Sequence, residues 1–236
     1  MRYPLILLTL FLLIVLGLAF NVHDRSDWAL ENALAVVGVT GLVLTYRKFP
    51  LSKVSYTSIF VFLALHELGA HYTYSEVPYD AWFESLTGRS LDLMLDFERN
   101  QYDRLIHFSY GVLIAYPIRE LVVRVADVRG FWGYFFPLDV IMSTSMLYEL
   151  IEWAAAEFFG GNLGVAYLGA QGDVWDAHKD MLLATLGAIL ALLITAAIHK
   201  SLARDFHREW AESLRVHHRK PLGEVAVANL RAGKKA

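Results

Sequence analysis

The sequence predicts an all-α fold: a polytopic membrane helix bundle of about six transmembrane helices with both termini cytoplasmic. Three observations carry that prediction. Of the 236 residues, 56% are hydrophobic and only 19% charged, with a mean hydropathy of +0.39, a profile that suits a chain partly solvated by lipid. The apolar residues gather in runs close to the length of about 20 that a helix needs to cross the hydrocarbon layer. Charge is sorted between those runs, so that basic and acidic connections alternate along the chain.

The first run, Tyr3 to Phe20, is almost purely aliphatic and aromatic. A cleaved signal peptide is the rival reading, with Gly17 and Ala19 as a weak cleavage site. The run exceeds the usual signal core of about 7–15 residues, which favours an anchor. The second run is Ala29 to Tyr46, the third Tyr56 to Tyr72, and the fourth Leu105 to Val125. Gly133 to Phe159 is the fifth and Met181 to Ile198 the sixth. Trp28, Trp82, Trp132, Trp153 and Trp175 fall near predicted span ends, where an aromatic belt belongs. No internal repeat is visible, so the chain divides into a transmembrane domain, 1–198, and a basic cytoplasmic tail, 199–236.

Orientation follows from lysine and arginine in short connections. "RKFPLSKVS" carries Arg47, Lys48 and Lys53 without an acid, "RVADVRG" carries Arg124 and Arg129, and nine Lys or Arg follow Ile198. These segments share the cytoplasmic side. The connection Thr73 to Arg104 holds seven acids against three arginines, and Gly160 to Lys179 has almost no basic residue, so both lie outside. In the former, "PYDAWFESL" and "SLDLMLDFE" have the spacing of short amphipathic surface helices. The expected partner is a lipid bilayer; no nucleic-acid partner is expected. The absence of cysteine excludes a disulfide framework, a thiolate metal site and a thiol nucleophile.

Polar residues interrupt the outer halves of four predicted spans. In "HELGAHYTY", Glu67 and His71 are i, i+4 and share a helix face, with His66 offset by about 100°. At about 1.5 Å per residue, His66 lies roughly 12 Å below the helix end near Tyr74. Asp103 and His107 open the fourth span at i, i+4; Glu149 and Glu152 stand at i, i+3 near the exit of the fifth. Asp173, Asp176 and Asp180 form one stripe at the start of the sixth. Within a bilayer such groups must face one another or a water-filled cavity, so they define one polar pocket beneath the outer surface.

Imidazole and carboxylate without thiolate suit Zn, Mn or Fe, and carboxylate with water suits Mg. The metal candidates are Glu67, His71, His107, Asp173, Asp176 and Asp180; the catalytic candidates are Glu149, Glu152, Asp103 and His107. His66 and His71, five residues apart, do not form the H-E-x-x-H zinc motif, so Glu67 is paired with His71 and His66 is left to a hydrogen bond elsewhere. Structural roles compete. Asp173 and Asp176 suit the start of a helix, and Asp103 could pair with Arg99 or Arg104. Glu149 and Glu152 need a partner from elsewhere, since no basic residue occurs from Phe131 to Gln171. His178 lies off the aspartate stripe and is assigned to the surface. Arg119 and Glu120 are expected as an interfacial pair, and His199, His207, His217 and His218 belong to the tail.

"GAHYTY", "NQYDRLIHFSYG", "YELIEW" and "QGDVWDAHKDM", in this order between hydrophobic runs, resemble the YjdF-type bacterial inner-membrane proteins. The likeness covers nearly the whole chain up to about Ile198. It implies a multi-pass inner-membrane protein and no particular activity. The residues Asp103, His107, Phe108, Glu149, Glu152, Gly172, Asp173 and Asp176 are also similar to elements of the VanZ-like proteins. That family is linked to tolerance of a glycopeptide antibiotic, and the similarity implies envelope chemistry on the outer face. Three functions are compatible with the pattern: a metal-assisted hydrolase or transferase acting on a lipid-linked envelope substrate, an ion- or proton-coupled transporter, and a non-catalytic membrane scaffold.

Overall fold

Each of the six apolar runs folds as one continuous helix. A computed structural model of the chain describes residues 2–202, 205–216 and 221–233, apart from the side chains at 162, 163, 166, 222, 226 and 230. His217 and His218, assigned to the tail, lie outside the described residues. The described residues contain eleven α-helices and no strand. They are α1 (Arg2–Leu18), α2 (Arg25–Thr45), α3 (Lys53–His71), α4 (Tyr79–Thr87), α5 (Leu91–Leu95) and α6 (Tyr102–Val125). Then follow α7 (Trp132–Phe159), α8 (Gly161–Leu168), α9 (Asp176–Leu202), α10 (Phe206–Ser213) and α11 (Leu222–Arg231). Three of them, α2, α6 and α9, are long and apolar enough to cross a membrane.

Local chemistry sets several boundaries. The Asp24 carboxylate accepts hydrogen bonds from the backbone N–H groups of Ser26 and Asp27 and starts α2, and Ser52 starts α3 by accepting from Ser55. The acidic connection contains the two short helices its spacing predicts. Asp80 of α4 accepts from the backbone N–H groups of Asp92 and Leu91 and from the Ser90 hydroxyl, tying α4 to the start of α5. Those bonds, with Asp92 contributing most, hold the Asp80 carboxyl below its ordinary value.

The centre of the bundle is the close pair α6 and α9. A methyl group added at Gly111 would strike the backbone of Ala184 and Ala188, and one added at Gly187 would strike the backbone of Phe108 and Val112. Reciprocal glycines let two helix backbones touch, the small-residue packing that replaces a hydrophobic driving force in lipid. α3 and α7 flank α6, and α7 also packs on α9; α1 lies against α3. α2 packs on α3 and on α8.

α10 is docked against the turn between α6 and α7. Glu209 accepts from the Gly130 N–H, Ser213 Oγ from the Phe131 N–H, and the Ser213 carbonyl from the Trp132 indole. Trp210 packs on Phe131 and Tyr134. At this same end the expected pair of Arg119 with Glu120 is replaced. Neighbours on a helix point about 100° apart, so Arg119 lies over the Tyr134 ring while Glu120 turns to Arg124, Ser52 and Ser55.

The distribution of polarity is inverted relative to a water-soluble domain. Leu44 on α2 and Leu193 on α9 are 75% and 64% exposed, whereas Asp27, Glu31, Glu67, Glu152, Asp176 and Asp180 are buried. Charged groups inside and large aliphatic groups outside is an arrangement that water would not support.

Candidate functional site

The site lies at the end of the bundle where α6 and α9 begin. α6 presents Asp103 and His107 on successive turns, and α9 presents Asp180 one turn before Ala184 of the glycine seam. The tight seam below therefore fixes the spacing of the polar groups above. One ligand atom each from Asp103, His107 and Asp180 lie within 4.8 Å of one another. The His107 Nε2 is 3.6 Å from Asp103 Oδ1 and 3.6 Å from Glu149 Oε1 of α7. Asp180 is 2% exposed and its Oδ1 has no hydrogen-bond partner; the Oε1 of Glu149 is buried and unpartnered as well. Glu152 is buried one turn further on along α7.

Two carboxylates and an imidazole converging from two helices form a nitrogen–oxygen donor set that fits a divalent transition metal. Ligands about 2.1 Å from a tetrahedral ion stand roughly 3.4 Å apart, close to the separations around His107. Glu149 adjoins this group through its Oε1, 3.6 Å from the His107 Nε2.

The other acids of the predicted stripe are otherwise engaged. Asp176 is paired with Arg99 and lies 3.4 Å from Arg104; Asp173 pairs with Arg104 and Lys179. These contacts form a clasp that joins the connection before α6 to the start of α9. The Lys179 ammonium first, then the Trp175 backbone N–H and Arg104, hold the Asp173 carboxyl down to about 2. Asp173 and Asp176 thus stand outside the Asp103–His107–Asp180 group, because three nearby cations compete for them. Asp103, for which Arg99 and Arg104 were alternative partners, keeps His107 instead. His178 is exposed against Trp175, as its position off the stripe predicts.

The pairing of Glu67 with His71 does not form. His71 sits at the last turn of α3, where α1 is the neighbouring helix, and its Nδ1 donates to the Leu18 carbonyl at 2.6 Å. Glu67 is fully buried beside Asn32 of α2, with neither carboxylate oxygen hydrogen-bonded. His66 does find its hydrogen bond elsewhere, from the Tyr74 hydroxyl.

Sequence reasoning missed the contribution of α2. Asp27, Glu31 and Asn32 are all buried, and Glu31 accepts a hydrogen bond of 2.9 Å from Tyr148 of α7. Tyr148 also packs edge-on against His107, so it links the α2 side to the metal-compatible group. The signal was present: Asp27 and Glu31 are i, i+4, the spacing that singled out Asp103 and His107. Setting the start of the second span at Ala29 left Asp27 in a loop and drew no attention to Glu31.

Below these groups a cavity of about 520 Å³ extends between α2, α3, α6 and α7. Asp103, His107, His66 and Tyr74 line one part of it, and Val39, Leu63 and Ile114 are among its apolar lining.

Apolar helices wrapped around buried charge define the chain as a multi-pass helical membrane protein, and comparison with known proteins makes the class specific. Residues 3–201 match the family model described as "Predicted membrane protein (DUF2238)". The chain is 36% identical over 207 residues to the inner membrane protein YjdF of Escherichia coli (strain K12), covering 86% of this chain and 95% of that protein. The chain belongs to this DUF2238 family and is a protein of the inner membrane. No solved structure matches it.

Proposed function

We propose that the protein is a metal-assisted hydrolase or transferase acting on a lipid-linked substrate of the cell envelope. The observation that carries the reading is the convergence of Asp103, His107 and Asp180 within 4.8 Å, with a buried, unpartnered oxygen on Asp180. Asp103, His107 and Asp180 would hold a divalent cation, which would supply polarisation of an ester or phosphoester oxygen and a lower pKa for bound water. Glu149, beside His107, serves as general base, and Glu152 supports it. In this reading α1, α2, α3, α6, α7 and α9 all cross the bilayer, both termini are cytoplasmic, and the site occupies the outer half. Residues 1–198 are then the membrane domain, and 199–236 a cytoplasmic tail that begins with the docked α10. A carrier would need a polar path to the other end, and Glu120 there is already held by Ser52, Ser55 and Arg124.

Elemental analysis of the purified full-length protein tests the centre. The expected result is one equivalent of zinc, manganese or iron, lost in Asp180→Asn and in His107→Ala. Wild-type protein without metal after supplementation overturns the reading. Because the chain has no cysteine, single-cysteine variants test the orientation. A membrane-impermeant maleimide should label Gly172→Cys from outside and leave Lys53→Cys untouched; the reverse pattern refutes it.

A further inference from the structure

The cavity is asymmetric in chemistry. Its apolar wall is formed by side chains such as Val39, Phe62 and Ile114, while Asp103 and His107 mark its polar end. Two more polar groups in its lining each have a buried atom that makes no hydrogen bond. Ser145 is 2% exposed and its Oγ is unpartnered; His66 is 8% exposed and its Nε2 is unpartnered. A buried hydroxyl or imidazole nitrogen left unsatisfied is destabilising, so two of them lining one cavity point to a ligand that carries polar atoms.

The cavity also has a mouth. Leu34 of α2 and Leu147 of α7 belong to its lining and are themselves 45% and 54% exposed. α2 packs on α3 and α8 and reaches α7 through the Tyr148–Glu31 hydrogen bond. Beside that bond the cavity lining continues into the apolar outer surface through these two leucines. Gly38 of α2 lines the cavity and has open space where a side chain would be. A volume of about 520 Å³ is within the usual range of roughly 300–1,000 Å³ for a small-ligand site.

We propose that the cavity seats one hydrocarbon chain of a membrane lipid, which enters from the bilayer between α2 and α7. The lipid's ester or alcohol oxygens meet Ser145 and His66, and its head group reaches Asp103 and His107. This rests on the proposed function for the role of the polar end and names its substrate class as a bilayer amphiphile; the seat for the chain is argued independently of any metal.

The test uses full-length protein in nanodiscs containing phosphatidylglycerol with a photoactivatable diazirine in one acyl chain, with adducts mapped by mass spectrometry. Wild type should be labelled at Val39, Phe62 and Ile114 well above lipid-facing positions such as Leu193. Gly38→Phe should lower cavity labelling about tenfold. Gly17→Phe, also built into open space but away from the cavity, should leave it unchanged. Metal content of Gly38→Phe should match wild type, which shows that the fold and the centre persist. Labelling spread evenly over cavity and outer surfaces, or undiminished in Gly38→Phe, overturns the proposal. Cavity labelling that persists in metal-free protein supports the lipid seat while removing the metal reading.

Discussion

Glycine is used in opposite ways on the two sides of α6. On the α9 side, Gly111 and Gly187 let backbones touch, and any side chain at either position meets main-chain atoms. On the α2 side, Gly38 and Gly41 face open space. The close seam carries Asp103, His107 and Asp180 at fixed spacing directly above it. The loose wall borders a cavity and contributes buried acids of its own. Fixed spacing of polar side chains and open internal space are competing demands, and this bundle meets them with different helix pairs.

The same substitution on the two sides tests that contrast most severely. Gly111→Leu or Gly187→Leu should destabilise the protein by about 3 kcal/mol or more, because backbone is the obstacle and cannot repack cheaply. Thermal unfolding in detergent should show little or no folded protein for either, while Gly38→Leu unfolds near the wild-type temperature. Equal losses at all three positions would erase the distinction.

The next largest effect belongs to the clasp over the close seam. Arg99 and Asp176 are both nearly buried, and removing one partner of a buried pair costs roughly 3–5 kcal/mol. Arg99→Ala should therefore lower the unfolding temperature sharply and reduce metal content, whereas Arg89→Ala, in the exposed part of the same connection, should do neither.

A smaller effect follows from acid. The Asp173 carboxyl titrates at about 2 in the folded protein against an ordinary 3.8. A depressed folded value gives a contribution that is complete above about pH 4 and is lost as pH falls toward 2. Unfolding temperature should drop over that window, and Asp173→Asn should remove part of the drop.

The smallest effect is a gain. Gly38→Ala places a methyl group in open space and removes the backbone-entropy cost of glycine in a helix, so it should stabilise by about 0.5 kcal/mol. Gly187→Ala, the same change against backbone, should destabilise.

How much of this was legible in the sequence depended on range. Long apolar runs gave all six long helices to within about five residues at each end, since hydropathy and helix length are local properties. The i, i+4 spacing of Asp103 and His107 gave two of the three converging side chains, and the stripe at 173, 176 and 180 gave the third together with two residues that went elsewhere. Nothing local says that Arg99 will meet Asp176, 77 positions away, or that Tyr148 will reach Glu31, 117 positions away. The turn of His71 toward Leu18 likewise depends on which helix stands next to the end of α3. α8 escaped notice because its eight residues, begun at Gly161 with positive φ, look like an apolar connection.

Tyr148 and Glu149 are consecutive residues of one stiff rod. The first holds the wall beside the opening, and the second faces the imidazole at the centre. Any twist of α7 wide enough to release Glu31 must also swing the neighbouring carboxylate, so the wall beside the cavity and the position of Glu149 against His107 are geared to a single shaft.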